Sequence, residues 1–158
     1  GPVELVRRNG QTVAKVRPLF YAMLLFNRAA PRGSRLLAVG PNPPDSKLKT
    51  WGTIDREGTR RLVVINKDTK TARKVILKLP DKAARVATVE RLLAPALRSQ
   101  NNVTFGGRGW GGFTSDGKIK GKRTIERIDV GDGSVRLVVP RGSAALIQVR
   151  ASAPRRAR

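Results

Sequence analysis

Apolar residues change their spacing along this chain, and the changes mark its organisation. Near the start Val3, Leu5 and Val6, then Val13 and Val16, alternate with polar positions on either side of Asn9-Gly10, a dipeptide that favours the tight turn of a two-stranded hairpin. From residue 17 the period becomes helical. The segment RPLFYAMLLFNRAA contains no Gly, places Pro18 where a first helical turn tolerates it, and predicts a helix over 18–29. Leu19, Phe20, Met23, Leu24, Leu25 and Phe26 make that helix apolar on nearly every face, so it needs cover on more than one side. In particular Phe20, Leu24 and Phe26 must be buried somewhere. Pro31, Gly33 and Ser34 end the helix.

After Gly40-Pro41-Asn42-Pro43-Pro44 the chain becomes a series of short β-type segments divided by turn residues. Segment 48–54 runs into Asp55-Arg56-Glu57-Gly58, segment 62–65 into Asn66-Lys67-Asp68, and segment 75–79 is stopped by Pro80-Asp81. Segment 86–93 precedes a Gly-rich stretch over 106–117. Segments 124–130 and 135–139, around Gly131-Asp132-Gly133-Ser134, predict a closing hairpin, and Ala145, Ile147 and Val149 alternate in a last strand. Short strands at this spacing predict a mainly β fold: an antiparallel β-sandwich over about 35–149, preceded by one apolar helix. No repeat of fixed period points to a propeller or solenoid.

A chain of 158 residues has the length of one domain with a real core. It contains no Cys and no His, which excludes disulfides, thiolate nucleophiles and imidazole general bases; no cofactor or metal is expected. Lys and Arg number 33 against 11 Asp and Glu, a net charge of +22, so attraction to any polyanion follows at low salt. The basic residues are dispersed along the chain, the one dense cluster being the tail Pro154-Arg155-Arg156-Ala157-Arg158. Dispersed charge describes a generally basic surface better than a dedicated nucleic-acid site. No apolar run approaches the roughly 20 residues of a membrane span. The chain begins at Gly1 with no signal-like segment, which places the expected native start upstream.

Candidate chemistry is sparse. Glu57 falls in a predicted turn, Glu90 and Glu126 alternate with apolar residues as solvent-facing strand positions, and Glu4 is unassigned, so no catalytic residue is expected. Ser143 has no base beside it. Gly106-Gly107-Arg108-Gly109-Trp110-Gly111-Gly112-Phe113 lacks the Lys-Ser or Lys-Thr pair and the following helix of a phosphate loop. Two readings stand: a sandwich loop that Trp110 and Phe113 pin to the core, or a carbohydrate-binding platform of Trp110, Arg108 and Phe113, the ring stacking on a pyranose while the guanidinium pairs with a carboxylate or sulfate. Trp51, inside a strand, is expected in the core. The rival function is a basic polyanion or nucleic-acid binding β domain, using the tail and Lys118-Ile119-Lys120-Gly121-Lys122-Arg123 against phosphates.

The order of segments resembles the C-terminal portion of the heparanase and β-glucuronidase family of glycoside hydrolases. Arg17-Pro18-Leu19-Phe20-Tyr21-Ala22-Met23-Leu24-Leu25-Phe26 is similar to the last helix of that family's α/β barrel, and Leu62-Val63-Val64-Ile65-Asn66-Lys67-Asp68 to its strand ending in an Asn-Lys-Asp turn. Thr88-Val89-Glu90-Arg91-Leu92-Leu93-Ala94-Pro95, Val103-Thr104-Phe105-Gly106-Gly107 and Val138-Val139-Pro140-Arg141-Gly142-Ser143-Ala144-Ala145-Leu146 resemble the strands that follow. The resemblance implies that 1–30 is the end of a barrel domain (last strand and helix), 31–150 a non-catalytic β-sandwich and 151–158 a basic tail. It also implies that the catalytic barrel of the same parent is the partner, that acidic polysaccharide is a ligand, and that the location is extracellular or periplasmic. Retaining hydrolysis needs two carboxyl groups roughly 5 Å apart, and in the family both glutamates precede the last barrel helix.

Overall fold

The computed structural model describes residues 1–40, 42–80 and 84–151; the basic cluster at 154–158 lies outside them. Strands β1 (Val3–Arg8) and β2 (Gln11–Val16) form the expected antiparallel hairpin, with Asn9 and Gly10 at φ 50° and 78° in its turn. Helix α1 (Pro18–Ala29) follows with the predicted bounds and Pro18 at its first position. Next come β3 (Arg35–Leu36), β4 (Leu48–Ile54), β5 (Arg60–Asn66), β6 (Arg73–Lys78) and β7 (Val86–Leu93), then the two-residue strands β8 (Thr104–Phe105) and β9 (Phe113–Thr114), and finally β10 (Glu126–Asp129), β11 (Ser134–Val139) and β12 (Ser143–Val149).

The larger sheet runs β10-β7-β12-β5-β4-β3, with β8 paired to β7; β11 and β6 form a second sheet, and β1, β2 and β9 a third. Side-chain alternation divides the larger sheet's two faces. Leu62, Val64, Ala87, Val89, Ala145, Ile147 and Val149 meet Val75, Val135, Leu137 and Val139 of the β11–β6 sheet. From the opposite face Val63, Ala144 and Leu146 meet Tyr21, Leu25 and Ala29 of α1, together with Val103 and Phe105. The larger sheet is therefore covered on both sides, and its central strands carry apolar residues at both parities, as doubly buried strands must. Each fully buried aliphatic side chain such as Val63 or Leu146 contributes about 1.5–3 kcal/mol relative to exposure. The Thr53 hydroxyl ties the helix to the sheet by donating to the carbonyl of Ala29, the last helical residue, at 2.5 Å.

Two expectations are corrected. The segments read as a closing hairpin do not pair with each other: β10 pairs with β7 in one sheet and β11 with β6 in the other. The turn at 131–134, with Asp132 and Gly133 at φ 52° and 66°, is a corner between sheets. The reason lies in the core, because Ile128 of β10 and Val135, Leu137 and Val139 of β11 approach it from opposite sides, and strands facing each other across a core cannot also be ladder neighbours. The second correction concerns α1, whose cover is one-sided. Tyr21, Leu25 and Ala29 are buried and Phe20 and Leu24 half-buried, but Leu19, Met23 and Phe26 are 57, 51 and 61% exposed. Trp51 is half-buried at the edge of the core, its ring 5.5 Å from that of Phe26.

Candidate functional site

The Gly-rich segment leaves β8 and folds over the flank of α1. Its position is set by Trp110, whose backbone N–H donates to the Tyr21 hydroxyl at 2.8 Å and whose ring meets Phe20 and Tyr21 edge to face at 5.3 and 5.6 Å. The indole N–H donates to the Gly117 carbonyl at 2.8 Å, closing the loop on itself. Burial raises the Tyr21 phenol above its ordinary pKa, opposed by the Trp110 hydrogen bond.

Between this loop and α1 lies a cleft of about 370 Å³ with Arg28, Glu90, Arg108, Trp110 and Arg123 on its walls. Glu90 is only 6% exposed, which corrects its reading as a solvent-facing strand position. It lies on the face of β7 that α1 covers. One of its oxygens accepts from Nε and Nη2 of Arg123 at 3.2 and 3.1 Å, and the other from Arg28 at 3.5 Å. Sequence reasoning missed this trio. The available signal was the presence of apolar residues at both parities of 86–93, the mark of a strand covered on both faces. Among the described residues Arg108 has no ion pair, so three guanidinium groups and one carboxylate give the cleft a positive balance.

Of the candidate platform residues, the structure brings Arg108 and Trp110 together and leaves Phe113 apart. Phe113 lies in β9 opposite Lys15, and the Arg8 guanidinium covers its ring at 4.4 Å from the centroid. Glu126, half-exposed, accepts from Nε and Nη2 of Arg91 at 2.5 and 3.0 Å, which lowers its pKa. Glu4 is paired with Arg17. The Ser143 hydroxyl donates to the Pro140 carbonyl at 2.8 Å and is a turn device.

On the other flank of α1 an apolar groove of about 730 Å³ is lined by Leu19, Phe26, Trp51, Leu93, Leu97 and Val103, among others. It is continuous with the exposed helix face at Leu19 and Phe26. No helix among the described residues is long and apolar enough to cross a membrane.

Two packed antiparallel sheets with one helix on the outer face of the larger one define a mainly β domain of the sandwich class. The family model for the glycosyl hydrolase family 79 C-terminal beta domain matches residues 50–146, and the chain belongs to that family. No curated protein matches the sequence. Among solved structures, the chain is similar to a 4-O-α-L-rhamnosyl-β-D-glucuronidase from Fusarium oxysporum 12S, at 18% identity and TM-score 0.59 over 72% of this chain and 25% of that one. It is also similar to the GH51 arabinofuranosidase of Xanthomonas axonopodis pv. citri, at 12% identity and TM-score 0.62 over 92% of this chain and 28% of that one. A GH30 endoxylanase from Clostridium papyrosolvens C71 gives 13% identity and TM-score 0.58 over 86% and 28%. These likenesses show the fold, and the chain spans about a quarter of the length of the structures it matches.

Proposed function

We propose that the chain is the accessory β-sandwich of a heparanase-like retaining glycoside hydrolase: residues 31–150 form the sandwich, 1–30 end the catalytic barrel, 151–158 are a basic tail, and the catalytic glutamates lie upstream. The observation that carries this reading is the outer face of α1. Leu19, Met23 and Phe26 stand exposed in a row beside an apolar groove, an arrangement that isolated domains avoid and that marks a contact surface. The occupant that fits is the rest of a barrel, since α1 would pack there as its last helix. The test is Met23→Asp together with Phe26→Ser in the intact parent enzyme. The expected result is a fall in Tm and in aryl glucuronide turnover; unchanged melting and turnover would overturn the reading.

Contact with acidic glycan is the finer part of the proposal. It is supported by the cleft in which Arg108, without an ion pair among the described residues, stands beside Trp110, with Arg28 and Arg123 next to it. Binding of a uronate-bearing oligosaccharide that persists at high salt and is lost in Arg108→Ala would support it. Affinity that vanishes with salt and is shared with DNA would leave only the polyanion reading.

A further inference from the structure

The two-stranded β6–β11 sheet has one face in the core and one in solvent. Alternation along the ladder divides them: Val75, Leu77, Val135, Leu137 and Val139 face the core, and Lys74, Ile76, Lys78, Arg136 and Val138 face outward. The register sets Lys74 opposite Val138 and Ile76 opposite Arg136, so cations and aliphatic side chains interleave across the ribbon. The solvent face of a half-covered antiparallel sheet is ordinarily polar. Here Ile76 and Val138, diagonal neighbours on that face, are 58 and 47% exposed.

The cations of this face are free to act on a partner. Among the described residues Lys74, Lys78 and Arg136 have no ion pair. Two flanking carboxylates are already engaged, Asp68 by Arg73 and Glu126 by Arg91, whose Nη1 also donates to the Val138 carbonyl at 2.7 Å. Asp132 stands exposed in the turn that leads into β11, at one end of the ribbon and outside its ladder. The face is therefore cationic, with two aliphatic side chains set among the charges.

That combination selects among polyanions. A nucleic acid rewards the cations but offers little to Ile76 and Val138, and the face carries no aromatic ring on which a base would stack. A bilayer rewards both kinds of side chain: anionic headgroups attract each cation near the surface, and aliphatic groups leave water at the headgroup level. The face is also accessible, because β6–β11 covers one side of the larger sheet and α1 the other, so a partner seated on α1 leaves it open. We propose that the outer face of the β6–β11 sheet is a peripheral docking surface for a lipid bilayer with anionic headgroups. Lys74, Lys78 and Arg136 engage the headgroups, and Ile76 and Val138 enter the interface. The net charge of +22 draws the protein toward the surface before contact.

The test is co-sedimentation of the intact parent protein with vesicles of phosphatidylcholine, alone or mixed with phosphatidylglycerol, in parallel with binding to duplex DNA. Binding to the mixed vesicles and not to phosphatidylcholine alone is the expected result. Lys74→Gln, Lys78→Gln and Arg136→Gln together are expected to weaken it about a hundredfold, the scale of three surface cations. Arg56→Gln, Arg98→Gln and Lys118→Gln remove equal charge from exposed positions elsewhere and are expected to leave most of it. Ile76→Thr with Val138→Thr keeps β-branched side chains and every charge. That variant is expected to bind the mixed vesicles about tenfold more weakly and DNA as before. Equal losses in the two triple variants would overturn the docking surface. So would a threonine variant that binds vesicles as the unmodified protein does, since attraction to polyanions in general would then account for the binding.

Discussion

The Tyr21 hydroxyl accepts a hydrogen bond from the backbone N–H of Trp110 at 2.8 Å, joining the helix to a loop 89 positions further along the chain. Tyr21 is 1% exposed and Trp110 half-buried, so the phenol cannot turn to water instead. Tyr21→Phe keeps the ring and removes the acceptor of the partly buried Trp110 N–H, a loss at the lower end of the roughly 1–3 kcal/mol of an unpartnered buried donor. The expected outcome is a lower unfolding midpoint in urea and a shifted Trp fluorescence maximum, the second reporting release of the loop. A variant with unchanged midpoint would show that the loop finds another anchor.

Gly109 provides the companion test. A Cβ there would collide with the Val103 carbonyl and lie 3.0 Å from the Tyr21 hydroxyl, both of them fixed in the core. Gly109→Ala is expected to destabilise by about 1–3 kcal/mol through forced displacement. Combined with Tyr21→Phe it should cost less than the sum of the two single changes, since both act on one junction. A strictly additive double variant would contradict the shared junction.

Glu90 predicts an asymmetry between its conservative and its deleting variants. Glu90→Gln keeps the shape and part of the hydrogen bonding, whereas Glu90→Ala leaves Arg28 and Arg123 facing each other across an apolar gap. Both guanidinium side chains are partly exposed, at 40 and 44%, so the loss is smaller than for a fully buried pair. The expectation is about 1–2 kcal/mol for the deletion, measured by thermal melts, and a further drop at low salt, where repulsion between the arginines is unscreened. Equal stability of the two variants at both salt concentrations would contradict it.

Asp68 gives the pH dependence. Backbone N–H donation from Lys70, followed by the Arg73 side chain, holds its pKa at about 2, below the ordinary 3.8. A carboxylate depressed in the folded state stabilises fully above its unfolded pKa, and the contribution is lost as pH falls through the folded value. The window is therefore about pH 4 down to 2. Asp68→Asn should melt at a lower temperature than the unmodified chain at pH 7, and the difference should shrink through that window. A constant difference from pH 7 to pH 2 would show that charge plays no part.

The secondary structure was largely legible because the local signals agreed. Pro18 and the absence of Gly fixed α1, Asn9-Gly10 fixed the first hairpin, and segments 48–54 and 86–93 emerged with the bounds of β4 and β7. What local signals could not carry was pairing. The turn at Gly131 to Ser134 has the composition of a hairpin, and only the placement of Ile128 and Val135 on opposite sides of the core makes it a corner between sheets. The candidate site was legible in part. Arg108 and Trp110 lie close in sequence and stay together in the cleft, whereas Arg28 and Arg123 reach Glu90 across 62 and 33 positions, separations no periodicity reports. Phe113, only three residues beyond Trp110, was carried away by its ladder with Lys15.

The double cover of the central sheet bears on how this unit can be moved between proteins. A boundary drawn between α1 and β3 looks natural in the sequence, because the period changes there. A cut at that point would open Val63, Ala144 and Leu146, now fully enclosed, to water along with the half-buried Trp51 and Ile65, and would strand the Thr53 hydroxyl that the Ala29 carbonyl satisfies. The sandwich shorn of its helix would be an adhesive slab. Whichever domain claims α1 by ancestry, it must travel with the sheet in any fusion or transplant, so the smallest portable cassette begins upstream of Pro18.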